Sequence, residues 1–168
     1  HGMVVSQTTN PLVQNSNFEN KKDIILKGNE SGGITLLGEL PGGAVNSGTI
    51  TITGNNSFGL YSEVGSTVEN AKGAEININN GAEGSMGIRI GNASATNMKN
   101  KGKININSDD GKNIGVYSST ASFVNEGEIN VKGKNENIGM YFNGTTGTNK
   151  NQVAFGFNNF DSSTNNTR

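Results

Sequence analysis

A sequence unit of about 25 residues, present four times in register, constrains this chain more than any other feature. Each unit opens with Asn, has Gly two or three residues later, and continues with two aliphatic residues separated by one position. After a loop comes an aromatic or aliphatic residue followed by Gly. The first Ile of each aliphatic pair recurs in steps of 26, 28 and 25 residues. The four units start at Asn46, Asn70, Asn100 and Asn125.

Apolar and polar residues alternate within each unit at a period of two, as in Ile104-Asn105-Ile106, which indicates β-strands. No helical apolar stripe occurs, and the 25 Gly and 29 Asn are too frequent for helices. The three strands of a unit are too short to form a stable sheet alone. The sequence therefore predicts an all-β protein, a right-handed parallel β-helix (solenoid) with rungs of about 25 residues and three strands.

In such a coil each strand pairs in parallel with its copy one rung along, so that equivalent residues stack. Three inward-facing stacks are predicted. The first contains Ile50, Ile76, Ile104 and Ile129, the second Ile52, Ile78, Ile106 and Val131, and the third Leu60, Ile88, Val116 and Met140.

The predicted β-helix extends over residues 21–157, with a degenerate first unit near Ile24–Leu26 and a last half-unit near Val153–Phe157. Residues 1–3 are interpreted as a cloning remnant and residues 4–20 as an N-terminal lead-in or cap. Residues 158–168 are rich in Ser, Thr and Asn, and we predict that they form a flexible tail.

The repeated Asn lies at a strand end, where its side chain and its tolerance of left-handed backbone angles suit a corner. Stacked over successive rungs, the four Asn side chains are expected to hydrogen-bond one another as a structural ladder. Recognition of a glycan by the same amides is the alternative. The Gly that follows each Asn is expected to have a positive φ. These glycines are Gly48, Gly73, Gly102 and Gly127.

If the third stack faces inward, the residue after each of its members faces outward on one surface. These four residues are Tyr61, Arg89, Tyr117 and Tyr141. Parallel neighbours lie about 4.8 Å apart, so the four side chains are expected to form a row. A row of aromatic rings with one cation is a candidate binding surface for a sugar or a partner side chain. The alternative is a surface ladder that only stiffens the sheet.

Composition excludes several functional classes. The 13 Lys and Arg are balanced by 14 Asp and Glu, so the chain lacks the basic charge of a nucleic-acid-binding protein. Without Cys there is no thiolate chemistry and no Cys-based metal site. Calcium-loop and phosphate-loop motifs are also missing from the sequence. We therefore expect no cofactor, no metal and no nucleic-acid partner.

Catalysis has little support in the sequence. The single histidine is His1, so no Ser/His/Asp triad is expected. The close carboxylate pairs, Asp109-Asp110 and Glu126 with Glu128, lie in turn or corner sequences. Glycoside hydrolysis needs two carboxylates that face each other across a groove, and no such pattern is visible. The chain is predicted not to be an enzyme.

The unit N-x-G-x-I-x-I/V, followed about a dozen residues later by I/F-G-I/L-Y, resembles the passenger repeats of large type V autotransporter adhesins, in the Lys-, Asn- and Ile-rich style of fusobacteria. The resemblance covers residues 44–143 and, more loosely, residues 18–43. It implies secretion and display on the bacterial cell surface, with attachment to the outer membrane through a C-terminal β-barrel. The amphipathic strands of such a barrel are missing from this sequence, so we expect a fragment.

From the residues and the resemblance we expect a monomeric passenger fragment that acts in adhesion to a surface protein or glycan of host cells or other bacteria. The outer faces would make the contacts, together with loops near residues 53–57, 79–85, 107–113 and 132–137. Two alternatives stay open. One is a passive stalk that binds nothing, and the other is a polysaccharide-acting β-helix enzyme.

Overall fold

The computed structural model describes residues 2–6, 17–63, 66–91, 98–119, 123–143, 147–150 and 153–156. Over these ranges the chain is all-β and has no helix, so no helix there could cross a membrane. Eighteen strands form three parallel sheets of six strands each. The chain visits the three sheets in turn and returns to the first about 26 residues later, which makes it a β-solenoid.

The strands are numbered in chain order. Sheet A contains β1 (Met3–Val5), β4 (Gly32–Leu36), β7 (Phe58–Ser62), β10 (Met86–Ile90), β13 (Ile114–Ser118) and β16 (Ile138–Phe142). Sheet B contains β2 (Phe18–Asn20), β5 (Ala44–Asn46), β8 (Val68–Asn70), β11 (Met98–Asn100), β14 (Phe123–Asn125) and β17 (Gly147–Asn149). Sheet C contains β3 (Ile24–Leu26), β6 (Thr49–Ile52), β9 (Glu75–Asn79), β12 (Lys103–Asn107), β15 (Glu128–Lys132) and β18 (Val153–Gly156).

The core consists of stacked aliphatic side chains, and the predicted parallel β-helix is confirmed. In sheet C, Ile104 pairs in register with Ile76 on one side and Ile129 on the other, and all three side chains are fully buried. The second and third predicted stacks are also in register, and Met140 is the one member that is only partly buried. Full burial of such a side chain stabilises the fold by about 1.5–3 kcal/mol.

The β-solenoid begins earlier than the sequence predicted. Met3 in β1 pairs with Ile34, so the solenoid already includes Met3. A Cβ added at Gly2 would lie 2.8 Å from O of Gly33, and one added at Gly33 would lie 2.5 Å from O of Gly59. Gly2 therefore packs closely against the next rung, as Gly33 does. The expected lead-in over residues 4–20 likewise contains part of β1 and the whole of β2.

The structure describes part of the predicted C-terminal end of the solenoid. Strand β18 occupies the expected last half-unit and pairs with β15. The predicted flexible tail, residues 158–168, lies outside the described residues.

A buried asparagine ladder connects the rungs at the corner between sheets B and C. The side-chain amide of each of the first four members donates to Oδ1 of the Asn in the next rung at 2.8–2.9 Å. The ladder contains the four Asn of the repeat and one earlier residue, in the order Asn20, Asn46, Asn70, Asn100 and Asn125. All five side chains are buried, and none of the five residues has a positive φ. They therefore act through hydrogen bonds between rungs and not through left-handed corners.

A second buried polar ladder lies at the corner between sheets C and A. The side-chain oxygen of each member accepts a hydrogen bond from a backbone N–H of the preceding rung, for example Ser57 N–H to Oγ of Ser85 at 3.0 Å. The same side chain donates to a carbonyl of that preceding rung, as Oγ of Ser85 does to O of Gly54 at 2.9 Å. The members are Ser57, Ser85, Asn113 and Asn137.

Three of the four glycines that follow the ladder asparagines, Gly48, Gly102 and Gly127, allow close approach between rungs, whereas nothing lies within 4 Å of a Cβ added at Gly73. Of the four, only Gly73 has a positive φ, of 87°, so the expectation was wrong for the other three. A Cβ on Gly102 would lie 2.3 Å from O of Ala74, and a Cβ on Gly127 would lie 2.1 Å from O of Gly102. Side chains are excluded there because the backbone of the neighbouring rung occupies the space.

Candidate binding face on sheet A

The outer face of sheet A carries two adjacent rows of large side chains. Tyr61, Arg89, Tyr117 and Tyr141 pair in register on successive strands and form the predicted row. Phe58, Met86, Ile114 and Ile138 form a second row, also in register. Members of the second row are half-buried and do not belong to the hydrophobic core. We call these eight residues the sheet A stripe.

A glycine in each strand brings the two rows onto the same face. A Cβ on Gly59 would point toward the core, 2.8 Å from Cγ2 of Ile76. Gly59 and the buried Leu60 therefore both face inward, which breaks the normal alternation of a strand. As a result Phe58 and Tyr61, on either side of this pair, both lie outside, with ring centroids 4.8 Å apart.

Tyr61 faces away from the core but is not accessible. Its side chain is covered by the Phe58 ring and by Arg89, and only 7% of the residue is exposed. Its hydroxyl is hydrogen-bonded to the carboxylate of Glu63. The expectation of an accessible binding residue is therefore wrong at this position, because loop and neighbouring side chains fill the space around the ring. Tyr61 instead supports Arg89.

Arg89 is held over two aromatic rings. Its guanidinium carbon lies 5.1 Å from the ring centroid of Tyr61 and 5.9 Å from that of Phe58, within cation–π range. No carboxylate of the described residues forms an ion pair with it. Within the same ranges, its Nε is the one buried side-chain nitrogen or oxygen without a hydrogen-bond partner. The result is a positioned cation that forms no ion pair with the described residues and has one buried N–H group without a partner among them.

Tyr117 and Tyr141 form a stacked pair on the next two rungs. Their ring centroids are 5.7 Å apart and the ring planes differ by 5°. Each ring thus covers one face of the other. Tyr141 is 44% exposed and Tyr117 is half-buried. Because the rings cover one another, the pair presents mainly ring edges and hydroxyls to a partner, and a broad ring face is less available than the sequence suggested.

A small cleft opens beside Arg89, between the sheet A stripe and the loops that precede β7 and β10. Its volume is about 160 Å³. The lining combines apolar, amide and cationic groups: Asn56, Ser57, Phe58, Gly84, Met86 and Arg89. The cleft therefore places hydrogen-bonding groups next to apolar surface, a combination typical of small-ligand sites.

A larger and more open groove follows the corner between sheets B and C. It has a volume of about 510 Å³ and is lined by Lys72, Gly73, Lys101, Gly102, Lys103, Glu126, Gly127 and Glu128. Its charges pair with neighbours, as in the ion pairs of Lys103 with Glu128 at 3.3 Å and Lys150 with Glu126 at 3.2 Å. The hydrogen bond from Lys150 lowers the pKa of Glu126, and the hydrogen bond to Glu69 raises the pKa of Lys101. Four of the five charged side chains that line this groove are therefore paired, and Lys72 forms no ion pair with the described residues.

Sequence reasoning missed the second row of the sheet A stripe. The available signal was the large apolar residue before Gly in four successive units, at Phe58, Met86, Ile114 and Ile138. Simple alternation assigns that position to the inside, since it lies two residues before an inward one. The glycine in each strand reverses this assignment, and its effect is visible only in three dimensions.

Comparisons with known proteins leave the family of the chain open: no family model, no curated protein and no solved structure matches it. Among the residues that the structure describes, no group of three or more His, Cys, Asp or Glu side chains is placed to hold a metal ion. The sheet A stripe and its cleft are accordingly the best candidate for a functional site.

Proposed function

We propose that this chain is a surface-exposed adhesion module of the autotransporter passenger type, which binds a host-cell or bacterial surface molecule through the outer face of sheet A. The observation that carries the proposal is the sheet A stripe. It joins a half-exposed aliphatic and aromatic surface, a stacked tyrosine pair and a cation that forms no ion pair with the described residues, all on one face of the solenoid. Exposed apolar surface bordered by polar groups is typical of interaction sites.

Repetition favours binding by many modest contacts. Equivalent positions recur at each rung, so a long partner can engage several rungs at once and gain affinity through effective concentration. The resemblance of the repeat to autotransporter passengers gives the cellular setting of the proposal, display at the outer surface of a bacterium. Extended recognition of this kind needs no cofactor and no metal.

A passive stalk is the second candidate, and the polar ladders favour it. Asn100 and Ser85, for example, are fully buried and hydrogen-bonded to neighbouring rungs. Such ladders stiffen a solenoid without requiring any ligand. The stalk assigns no role to the buried Nε of Arg89, which has no hydrogen-bond partner among the described residues.

A polysaccharide-acting enzyme has the least support. The larger groove contains Glu126 and Glu128, and each accepts an ion pair from a lysine. A general acid needs a raised pKa, whereas the pKa of Glu126 is lowered by its hydrogen bond with Lys150. We therefore propose a binding function without catalysis.

The test is binding of the purified protein to epithelial cells and to a glycan array, with a sugar-release assay in parallel. The double variant Tyr117→Ala/Tyr141→Ala is compared with Asn105→Ala, which changes the outer face of sheet C instead. We expect saturable binding that the tyrosine variant loses and the control keeps, with circular dichroism unchanged in both. Binding that survives in the folded double variant contradicts the assignment to sheet A, absence of all binding favours the stalk, and sugar release favours the enzyme.

A further inference from the structure

We infer that the cleft beside Arg89 binds the carboxylate of an acidic sugar. The inference rests on the proposed function, because it names the ligand class for one part of the sheet A stripe. It starts from a cation that is held over two aromatic rings and forms no ion pair with the residues that the structure describes.

Arg89 differs from the lysines in its surroundings. Its guanidinium lies over two aromatic rings, and its Nε is buried without a hydrogen-bond partner among the described residues. Five lysines form ion pairs with glutamates at 2.8–3.3 Å: Lys21, Lys101, Lys103, Lys112 and Lys150. Arg89 forms none with the described residues, and six of the eleven lysines also form none with them. The nearby Glu63 uses its carboxylate on the hydroxyl of Tyr61 instead. The buried Nε is out of reach of a ligand, so a carboxylate in the cleft would bond the terminal N–H groups of the guanidinium.

The aromatic support preorganises this cation for a planar anion. Phe58 and the buried Tyr61 fix the guanidinium, and little freedom is lost when a ligand binds. Guanidinium N–H groups match a carboxylate with two parallel hydrogen bonds, a geometry that lysine does not offer. A carboxylate is therefore the group best suited to this position.

The rest of the cleft favours a sugar over an acidic peptide. At about 160 Å³ it has room for roughly five water molecules, which suits one terminal ring better than a length of polypeptide. Phe58 and Met86 offer apolar contact to the C–H face of a ring. Asn56 is exposed, and its side-chain amide has no hydrogen-bond partner within the described ranges, so it can bond ring hydroxyls.

This site occurs once in the described part of the solenoid. At the equivalent register position the neighbouring strands carry Tyr61 and Tyr117. We therefore expect each protein molecule to bind one acidic sugar residue in this cleft, while the stacked tyrosines contact a neighbouring part of the same ligand or partner.

The experiment compares uronate- and sialate-terminated oligosaccharides with the same oligosaccharides after reduction of the carboxyl to a hydroxymethyl group. Poly-glutamate is included as an acidic peptide. Binding is measured for the wild-type protein, Arg89→Met and Lys134→Met. Methionine keeps the apolar stem over Phe58 but removes the charge, and Lys134 is an exposed residue outside the cleft, so its variant is the control for net charge.

We expect carboxyl reduction and Arg89→Met each to weaken binding by about tenfold or more, with Lys134→Met unchanged. Equal binding of acidic and reduced sugars, or an unaffected Arg89→Met variant, overturns the inference. Preference for poly-glutamate also overturns it, in favour of a protein ligand. Cell binding that depends on Tyr117 and Tyr141 but not on Arg89 defeats this inference alone, whereas loss of all binding by the wild-type protein defeats the proposed function as well.

Discussion

The side-chain amide of Asn100 donates a hydrogen bond to Oδ1 of Asn125 at 2.8 Å across 25 residues of sequence. Asn105 lies five residues after Asn100 and belongs to another asparagine ladder, on the outer face of sheet C. Its side-chain amide donates to Oδ1 of Asn77 at 2.8 Å, and its Oδ1 accepts a hydrogen bond from Asn130 at 2.9 Å. The two ladders use the same chemistry and differ in burial. This pair allows the energetic effect of burial to be measured.

We expect Asn100→Ala to destabilise the fold by about 2–5 kcal/mol, because it removes two buried hydrogen bonds, the one that Asn70 donates to Asn100 and the one that Asn100 donates to Asn125. Asn105→Ala should cost only about 0.5–1.5 kcal/mol, since water can replace its half-exposed hydrogen bonds. Urea unfolding followed by circular dichroism gives both free energies. Equal destabilisation by the two substitutions would show that the inner ladder has no special role.

The aliphatic stacks lead to a second prediction. Ile104 is fully buried between Ile76 and Ile129, and its replacement by Ala leaves a cavity that the rigid rungs cannot close. The expected loss is about 2–5 kcal/mol of unfolding free energy. Ile25→Ala is the matched control, because Ile25 is on the outer face of the same sheet and 59% exposed; its unfolding free energy should change by less than about 0.5 kcal/mol. A large effect at Ile25 would contradict the assignment of faces.

Because neighbouring rungs approach closely at some glycines and not at others, two Gly→Ala substitutions should differ markedly in their effect on the free energy of unfolding. In Gly102→Ala the new Cβ would lie 2.3 Å from O of Ala74 and 2.5 Å from O of Ala71, so backbone of the adjacent rung must move. We expect a cost above about 3 kcal/mol or failure to fold. Gly28→Ala meets only the side-chain oxygen of Ser31, at 3.4 Å, and should be nearly neutral. Thermal unfolding of the two purified variants distinguishes these outcomes.

Much of this architecture could be predicted because the repeat encodes it at each rung. An Asn and a pair of aliphatic residues that begins four to six positions after it determine which residues stack, and the structure has Ile104 and Asn100 in the predicted registers. The earliest rungs were harder to recognise from sequence. Asn20 belongs to the inner ladder, but its unit has Lys22 where later units have Gly, so the motif is incomplete there.

Features that depend on different residue types in different rungs could not be predicted from the repeat. The second polar ladder changes from Ser to Asn between Ser85 and Asn113 and lies in loops of unequal length. No single residue type at one position of the repeat therefore identifies it. The burial of Tyr61 depends on Phe58 before it and Glu63 after it, contacts that no other rung repeats. A sequence repeat specifies what all rungs share, whereas the candidate site arises from what one rung has alone.

The ion pair between Glu126 and Lys150 predicts a component of acid sensitivity. The hydrogen bond from Lys150 is the main cause that lowers the pKa of Glu126 in the folded protein. Because the folded pKa lies below the unfolded one, the unfolded chain binds more protons between the two values. The contribution of this pair to stability is therefore complete above the unfolded pKa and is lost as the pH falls through the folded pKa.

Glu126→Gln keeps a hydrogen-bond acceptor but cannot titrate, so the variant should lose this component. We expect the wild-type protein to have the higher thermal midpoint at neutral pH, and the difference from Glu126→Gln to shrink as the solution is acidified. The effect should be small and weaken in high salt, since the pair is at the surface. Glu39→Gln is the control, because Glu39 is exposed and forms no ion pair with the described residues. Identical pH profiles for wild type and Glu126→Gln would mean that the pair contributes nothing to the stability of the solenoid.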